Sequence, residues 1–297
     1  MKEKNAIISI IGRPNVGKST LTNALTGEHV SIVSNKPQTT RNRITAIFSH
    51  GDTQFVLMDN PGFHKAKNKL GEFMIKQVKS GIADVDAIIL VVEPISEVGT
   101  QERLLIEQIL ASNIPAILVI NKIDTVIKNE LLHTIAAYSE TNCFKAIIPI
   151  SSKRGDGLDV LISEMEKYAD EGPHLFPDDM YTDQPERQIC AEILREKLLW
   201  CLEREVPHGT AVEITLFKER DDGIIDIDAT IYCEKKSHKG IIIGKNGTML
   251  NKIASLARKD MEKLLGTKVF LQTWVKVIEN WRDSNIHLRN FGFSDKQ

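Results

Sequence analysis

A chain of 297 residues, 42% hydrophobic and 26% charged, has room for about two globular domains with sizeable cores, and its net charge of −2 singles out no class of partner. Four scattered cysteines (Cys143, Cys190, Cys201, Cys233) show no CxxC or CxxH spacing, which argues against a zinc site or a disulfide framework and fits a reducing compartment. The opening MKEKNAIISI lacks the long apolar stretch of a signal peptide, and runs such as AIILVV (87–92) fall far short of a membrane span, so a soluble protein is expected.

From 1 to 170, short β-branched runs alternate with helix-like stretches: AIISII (6–11), ITAIF (44–48), QFVLMD (54–59), AIILVV (87–92), AILVI (116–120) and AIIPI (146–150). Such runs suit strands buried on both faces of a mostly parallel sheet. SHGD (49–52) predicts a hairpin turn, and segments such as TQERLLIEQILAS (100–112) predict covering helices. The expected fold is a doubly wound α/β domain. Residues 171–186, with Pro173, Pro177 and Pro185 among acids, are expected to form a linker. From 187 to 297 the rhythm becomes that of a small α+β domain: a helix (187–203), alternating strands (211–217, 224–233), a helix (248–266) and a third strand (268–277).

The stretch SIIGRPNVGKST (9–20) fits GxxxxGK[ST] between a strand and a helix. Gly12, Arg13, Pro14, Asn15, Val16 and Gly17 would wrap backbone amides around phosphate oxygens, and the helix starting near Lys18, Ser19 and Thr20 points its N–H groups at the same anion. Lys18 is expected to reach the β- and γ-phosphates and Ser19 to ligate Mg²⁺.

A phosphate loop does not distinguish ATP from GTP, but ILVINKID (117–124) does more. It places Asn121, Lys122 and Asp124 after a buried strand, and a carboxylate at Asp124 could accept from both guanine N1–H and the 2-amino group, donors that adenine lacks. A helix N-cap is the competing role for Asp124. In MDNPGFH (58–64), Asp59 could hold Mg²⁺ through water, while the amide of Gly62 senses the γ-phosphate; a plain Asn60-Pro61-Gly62 turn is the alternative. In NKPQTTRNR (35–43), one hydroxyl of Thr39 or Thr40 could complete the metal shell, and Ser151, Ser152 and Lys153 could turn backbone amides toward the guanine oxygen.

The ordered segments Gly12–Ser19, Gln38–Arg41, Asp59–Gly62, Asn121–Asp124 and Ser151–Lys153 resemble the five motifs of translation-factor-type small GTPases. That resemblance implies GTP hydrolysis, with switch I near 31–43, switch II near 60–70, and Lys18, Thr40 and Gly62 as catalytic positions. Two departures stand out. Asn60 replaces the usual Thr, and Phe63 stands where many relatives carry a water-orienting Gln. The resemblance suggests a subgroup with slow intrinsic turnover, in which Asn15 either contacts a K⁺ ion or only supports the loop.

The second domain carries Gly244-Lys245-Asn246-Gly247 ahead of a helix, the GxxG pattern with which KH domains clamp a single-stranded backbone; an ordinary helix–turn–helix is its bland counterpart. Between 235 and 282, eleven basic residues stand against three acids, a local charge of +8 that suits RNA, with Lys239, Lys252 and Arg258 as further contacts. The element order resembles a type II KH fold, and the whole chain resembles the bacterial TrmE-Era-type GTPases with a C-terminal KH domain. That likeness implies a cytoplasmic monomer with Mg²⁺ as cofactor. It implies binding of GTP, GDP and 16S rRNA near its 3′ end, help in 30S ribosomal subunit assembly, and a loose peripheral contact with the inner membrane. Two rival readings remain at this stage: an RNA-binding protein with a vestigial nucleotide fold, and a GTPase whose C-terminal module grips protein or another RNA. Trp200, Trp274 and Trp281 are expected to pack rather than stack on bases, and His29, His133 and His208 show no ligand spacing.

Overall fold

The computed structural model describes residues 2–64 and 66–293; Met1, Lys65 (in the expected switch II) and 294–297 (in the expected second domain) lie outside the described residues. The chain divides into two units, Met1–Ala66 with Met74–Asp183, and Lys67–Phe73 with Gln184–Gln297.

Every apolar run of the α/β region forms a strand. In chain order the elements are β1 (Lys4–Ile11), α1 (Lys18–Thr26), β2 (Ile44–His50), β3 (Thr53–Asp59), α2 (Lys69–Ser80), β4 (Ala87–Val92), α3 (Thr100–Ser112), β5 (Ala116–Ile120), α4 (Lys128–Ser139), β6 (Ala146–Pro149), α5 (Leu158–Met165) and the short β7 (Asp170–Glu171). The sheet runs β2-β3-β1-β4-β5-β6, with β7 antiparallel on β1. Only β2 among the six main strands is antiparallel to its neighbour, and His50 pairs with Thr53 across the expected hairpin. All of β4 and β5 is buried. Alternate side chains explain why: Ile89, Val91 and Val119 join Leu21 and Leu161 on one face, while Ile88, Leu90 and Leu118 join Leu105 and Ile109 on the other. Each such side chain contributes roughly 1.5–3 kcal/mol by leaving water, so a two-sided core fixes the positions of the strand ends.

The segment expected as a linker is largely tied to the sheet. The buried amide of Gln54 accepts from Leu175 N (2.8 Å) and Phe176 N (3.0 Å) and donates to Phe176 O (2.8 Å). Further on, Ile47 N donates to Tyr181 O and Thr182 Oγ1 to Thr45 O.

The second unit has α6 (Glu186–Cys201), β8 (Ala211–Glu219), β9 (Ile225–Cys233), α7 (Lys236–Ile243), α8 (Thr248–Leu265), β10 (Val269–Val277) and α9 (Asn285–Asn290). Its sheet order is β10-β9-β8, with β10 parallel and β8 antiparallel to β9. Leu194 and Leu198 of α6 and Ile253, Ala257 and Met261 of α8 pack on Ile227, Ala229 and Ile231. The opposite side of β10 stays open, so Trp274 is 44% exposed; Trp200 is 52% exposed, and only Trp281 is fully buried, its Nε1 donating to Gly209 O at 2.9 Å. Packing therefore holds for Trp281 and is corrected for the other two: in β10 successive side chains face opposite sides and only one side meets helices, which leaves Trp274 open, and Trp200 lies exposed in the last turn of α6 with Lys197 Nζ over its ring.

Candidate functional site

The carboxyl ends of β1, β3, β5 and β6 bring Gly12, Asp59, Asn121 and Ser151 to one edge of the sheet, the usual ligand position in open α/β folds. Between β1 and α1 the loop bends back on itself. Asn15 has φ 67, and Gly17 has φ 98 at a point where an added Cβ would lie 2.3 Å from Asn121 Nδ2. A side chain there would meet both left-handed strain and a clash. Val16 turns into the core, while Lys18 is buried with Nζ donating to Gly12 O (3.2 Å) and Arg13 O (2.9 Å). Burial lowers the Lys18 pKa to about 8, with Asp59 partly opposing it. A phosphate here would supply the anion that this desolvated ammonium lacks.

Ser19 Oγ lies 2.8 Å from Thr40 Oγ1 and donates to Asp59 Oδ2 at 2.8 Å. Burial raises the Asp59 pKa, with Lys18 and Ser19 pulling it down. The other carboxylate oxygen, Oδ1, is buried with no hydrogen-bond partner among the described residues. One carboxylate, with one of its oxygens unspent, and two hydroxyls form a hard-oxygen set, which fits Mg²⁺ shared with a nucleotide. Of the two candidate threonines, Thr40 turns to this cluster, whereas Thr39 bonds Ser34 Oγ (2.7 Å) and Lys36 O (2.7 Å) within switch I. Gln38 has φ 62 and Arg41 is buried. A cavity of about 400 Å³ opens here, lined by the phosphate loop from Pro14 through Thr20 except Val16, by Gln38, Thr39 and Thr40, by Gly62 and by Lys122. It also takes in Ile32 and Asn35 of the expected switch I.

On switch II, Phe63 N donates to Gly12 O at 3.0 Å, and a Cβ on Gly62 would sit 2.8 Å from the Pro14 backbone. Pro61 is buried. Phe63 packs its ring against the apolar cluster of Ile88 and Leu90. Asn60 is a staple: its Nδ2 donates to Ser9 Oγ (3.0 Å), Ile10 O (3.2 Å) and Met58 O (2.9 Å).

At the opposite end, Asn121 joins three loops. Its Nδ2 donates to Val16 O (2.9 Å), and its Oδ1 accepts from Lys122 N (2.8 Å), Ser152 N (3.0 Å) and Ser152 Oγ (3.0 Å). These bonds tie the base turn to the phosphate loop while using only one of the two Nδ2 hydrogens. Asp124 Oδ1 accepts from Ser151 Oγ at 2.7 Å, and that bond leads the forces that lower its pKa. Oδ2 lies 4.0 Å from Arg154 Nε, and Lys153 is exposed. An ionised, hydroxyl-oriented carboxylate suits two donors on one base edge.

In the second unit the GxxG turn separates α7 from α8, with Gly244 at φ 72, Asn246 at φ 52 and Gly247 at φ 78. The Lys245 and Asn246 side chains are exposed, Lys239 is half-buried on α7, and Lys252 and Arg258 are exposed on α8. Six residues along a helix place Arg258 roughly 120° around from Lys252, so these two do not share a face. Lys259, seven residues after Lys252, does.

Known proteins match this arrangement over its full length. Residues 7–122 match the family described as 50S ribosome-binding GTPase, and residues 205–282 match the KH domain family. The GTPase Era of Ruminiclostridium cellulolyticum is 51% identical over 293 residues, covering 99% of this chain and 98% of its own. That of Clostridioides difficile is 50% identical, with 99% of both chains covered. A crystal structure of Era in complex with MgGDPNP and nucleotides 1506–1542 of 16S ribosomal RNA aligns with a TM-score of 0.94 at 36% identity, covering 98% of this chain and 99% of that one. An Aquifex aeolicus Era variant bound to GDP and AlF4− aligns with the same TM-score and identity. With half of all positions identical from end to end, and with a phosphate-loop domain followed by a KH domain, the chain belongs to the GTPase Era family.

Proposed function

We propose that this protein is a GTP-hydrolysing switch that binds 16S rRNA near its 3′ end and assists assembly of the 30S subunit. The observation that carries the nucleotide half is the meeting of Ser19, Thr40 and Asp59 beside buried Lys18. Bound Mg²⁺, held by Ser19 and Thr40 directly and by Asp59 through water, would supply neutralising charge for phosphoryl transfer. Lys18 balances charge on the β- and γ-phosphates, the Gly62 amide and the Thr40 hydroxyl hold the two switches closed, and Asp124 reads guanine. Phe63 excludes water from its side of switch II without orienting it, which supports slow intrinsic turnover. Loss of the γ-phosphate removes the reason for Thr40 and Gly62 to stay, and both switches relax.

Asn15 Nδ2 donates to Asn35 O of switch I at 3.2 Å. A K⁺ ion at Asn15 would make hydrolysis several-fold faster in K⁺ than in Na⁺, and a purely supporting role would leave the two rates equal. The relative crystallised with nucleotides 1506–1542 of 16S rRNA supports the RNA partner. So does the left-handed GxxG turn, which brings Lys245 and Asn246 to the surface beside the α8 N-terminus. Substituting Lys245→Asp and Asn246→Asp together tests this: binding to a 16S 3′-end oligonucleotide should be lost while GTP turnover persists. Retained RNA binding would instead favour a module that grips protein. Among the described residues no helix is long and apolar enough to cross a membrane. Any membrane contact is then peripheral, and vesicle flotation of the full chain tests it. Sedimentation tests the proposed monomer.

A further inference from the structure

A line of charged side chains connects the base turn to the phosphate loop. Lys122 sits at φ 64, a left-handed position uncommon for a residue other than glycine. Its Nζ donates to Asn15 O at 2.6 Å and to Glu93 Oε1 at 2.6 Å. Glu93 follows β4 directly and belongs to none of the nucleotide motifs. Its other oxygen lies 3.8 Å from Arg13 Nη2, and Arg13 is itself ion-paired with the buried Glu102 of α3. Asn15 in turn holds switch I through Asn35 O.

The chemistry of lysine makes Glu93 consequential. An ammonium on four methylenes is strongly hydrated and free to turn to solvent, and a single carbonyl does little to hold it. A carboxylate on the far side gives a charge-assisted bond and selects the rotamer that reaches Asn15 O. Arg13 can help fix the position of Glu93 without taking it from Lys122, because its own charge is already paired with Glu102 and its Nη2 stays 3.8 Å from Glu93. We propose that Glu93 is a positioning residue: it pins Lys122 onto the phosphate loop, keeps the base turn and that loop in register, and so slows release of bound guanine nucleotide. This rests on the guanine-nucleotide reading above. Removing Glu93 leaves Arg13 paired with Glu102, so truncation strands no buried charge and the fold should persist.

The test uses the full chain loaded with a fluorescent GDP analogue and chased with excess GDP. Because the Glu93–Lys122 pair is about one-third exposed, the expected effect is moderate. Glu93→Ala should speed release about three- to tenfold, and Glu93→Gln, which keeps an acceptor, by less. Lys122→Ala should speed release at least as much, and Glu93→Ala should add less than twofold in that background. Glu93→Ala should also raise KM for GTP more than it lowers kcat. Release at the wild-type rate in Glu93→Ala would overturn the proposal. So would multiplying effects in the double variant, which mark Glu93 as acting elsewhere. A melting temperature of the nucleotide-free Glu93→Ala protein that falls by several degrees, with equal acceleration in both backgrounds, would also overturn it as a general structural effect. If the wild type fails to retain the GDP analogue, the guanine-nucleotide reading falls first and the positioning role falls with it.

Discussion

In the proposed function, one side chain, Asp124, selects the base. Ser151 Oγ takes one lobe of its Oδ1 and leaves the outward oxygens as acceptors. Exchanging the carboxylate for an amide swaps one acceptor for a donor, so Asp124→Asn should weaken GTP binding by about 100-fold or more and favour xanthosine triphosphate, whose 2-position is an acceptor. Competition between the two triphosphates checks this, and unchanged preference for GTP would count against base reading by Asp124. Asn60 carries a different burden. Its two amide hydrogens are shared among three acceptors in a buried site, and a Cβ on Gly81 would lie only 2.3 Å from its Oδ1. A threonine hydroxyl can replace one of those donations at most. Asn60→Thr should therefore cost about 1–3 kcal/mol in urea unfolding, with little change in nucleotide specificity.

At the scale of elements, strand runs and phosphate loop were legible because periodicity and glycine spacing act locally. Ile88 and Ile89 are neighbours in sequence that face opposite cores, and an unbroken apolar run encodes that directly. The 171–186 segment was misleading for the opposite reason. Its prolines and acids read as a linker, yet Gln54, more than a hundred residues earlier, supplies an amide that pairs with it as a backbone would. Gln54→Ala should cost about 1–3 kcal/mol and speed proteolysis within 175–182, read by mass spectrometry of the fragments. Cleavage at the wild-type rate would mean the strap holds by other contacts. The α7 helix was also missed, since an Ile-rich run ahead of GxxG reads equally as a strand.

For the whole molecule, the nucleotide-motif residues identified from sequence gather at one sheet edge, but their division of labour was not visible. Asn121 ties the base turn to the phosphate loop, Thr40 rather than Thr39 meets Ser19, Asn35 of switch I meets Asn15 through its backbone, and Glu93 joins the site without any motif. Such roles depend on contacts across 20 to 100 residues, which spacing alone does not report. The basic segment from 235 to 282, with its +8 balance, was legible as a nucleic-acid footprint, whereas Arg258 and Lys252 prove to occupy different helix faces. A GTP switch that also binds RNA predicts that the γ-phosphate, met at Thr40 and Gly62, governs RNA binding at Gly244–Gly247. The most direct measurement is the affinity of the full chain for a 16S 3′-end oligonucleotide, with GDP and with a non-hydrolysable GTP analogue at one fixed salt concentration. The account predicts binding at least about tenfold tighter with the analogue, a coupling of roughly 1.4 kcal/mol. Equal affinities in the two nucleotide states would contradict it.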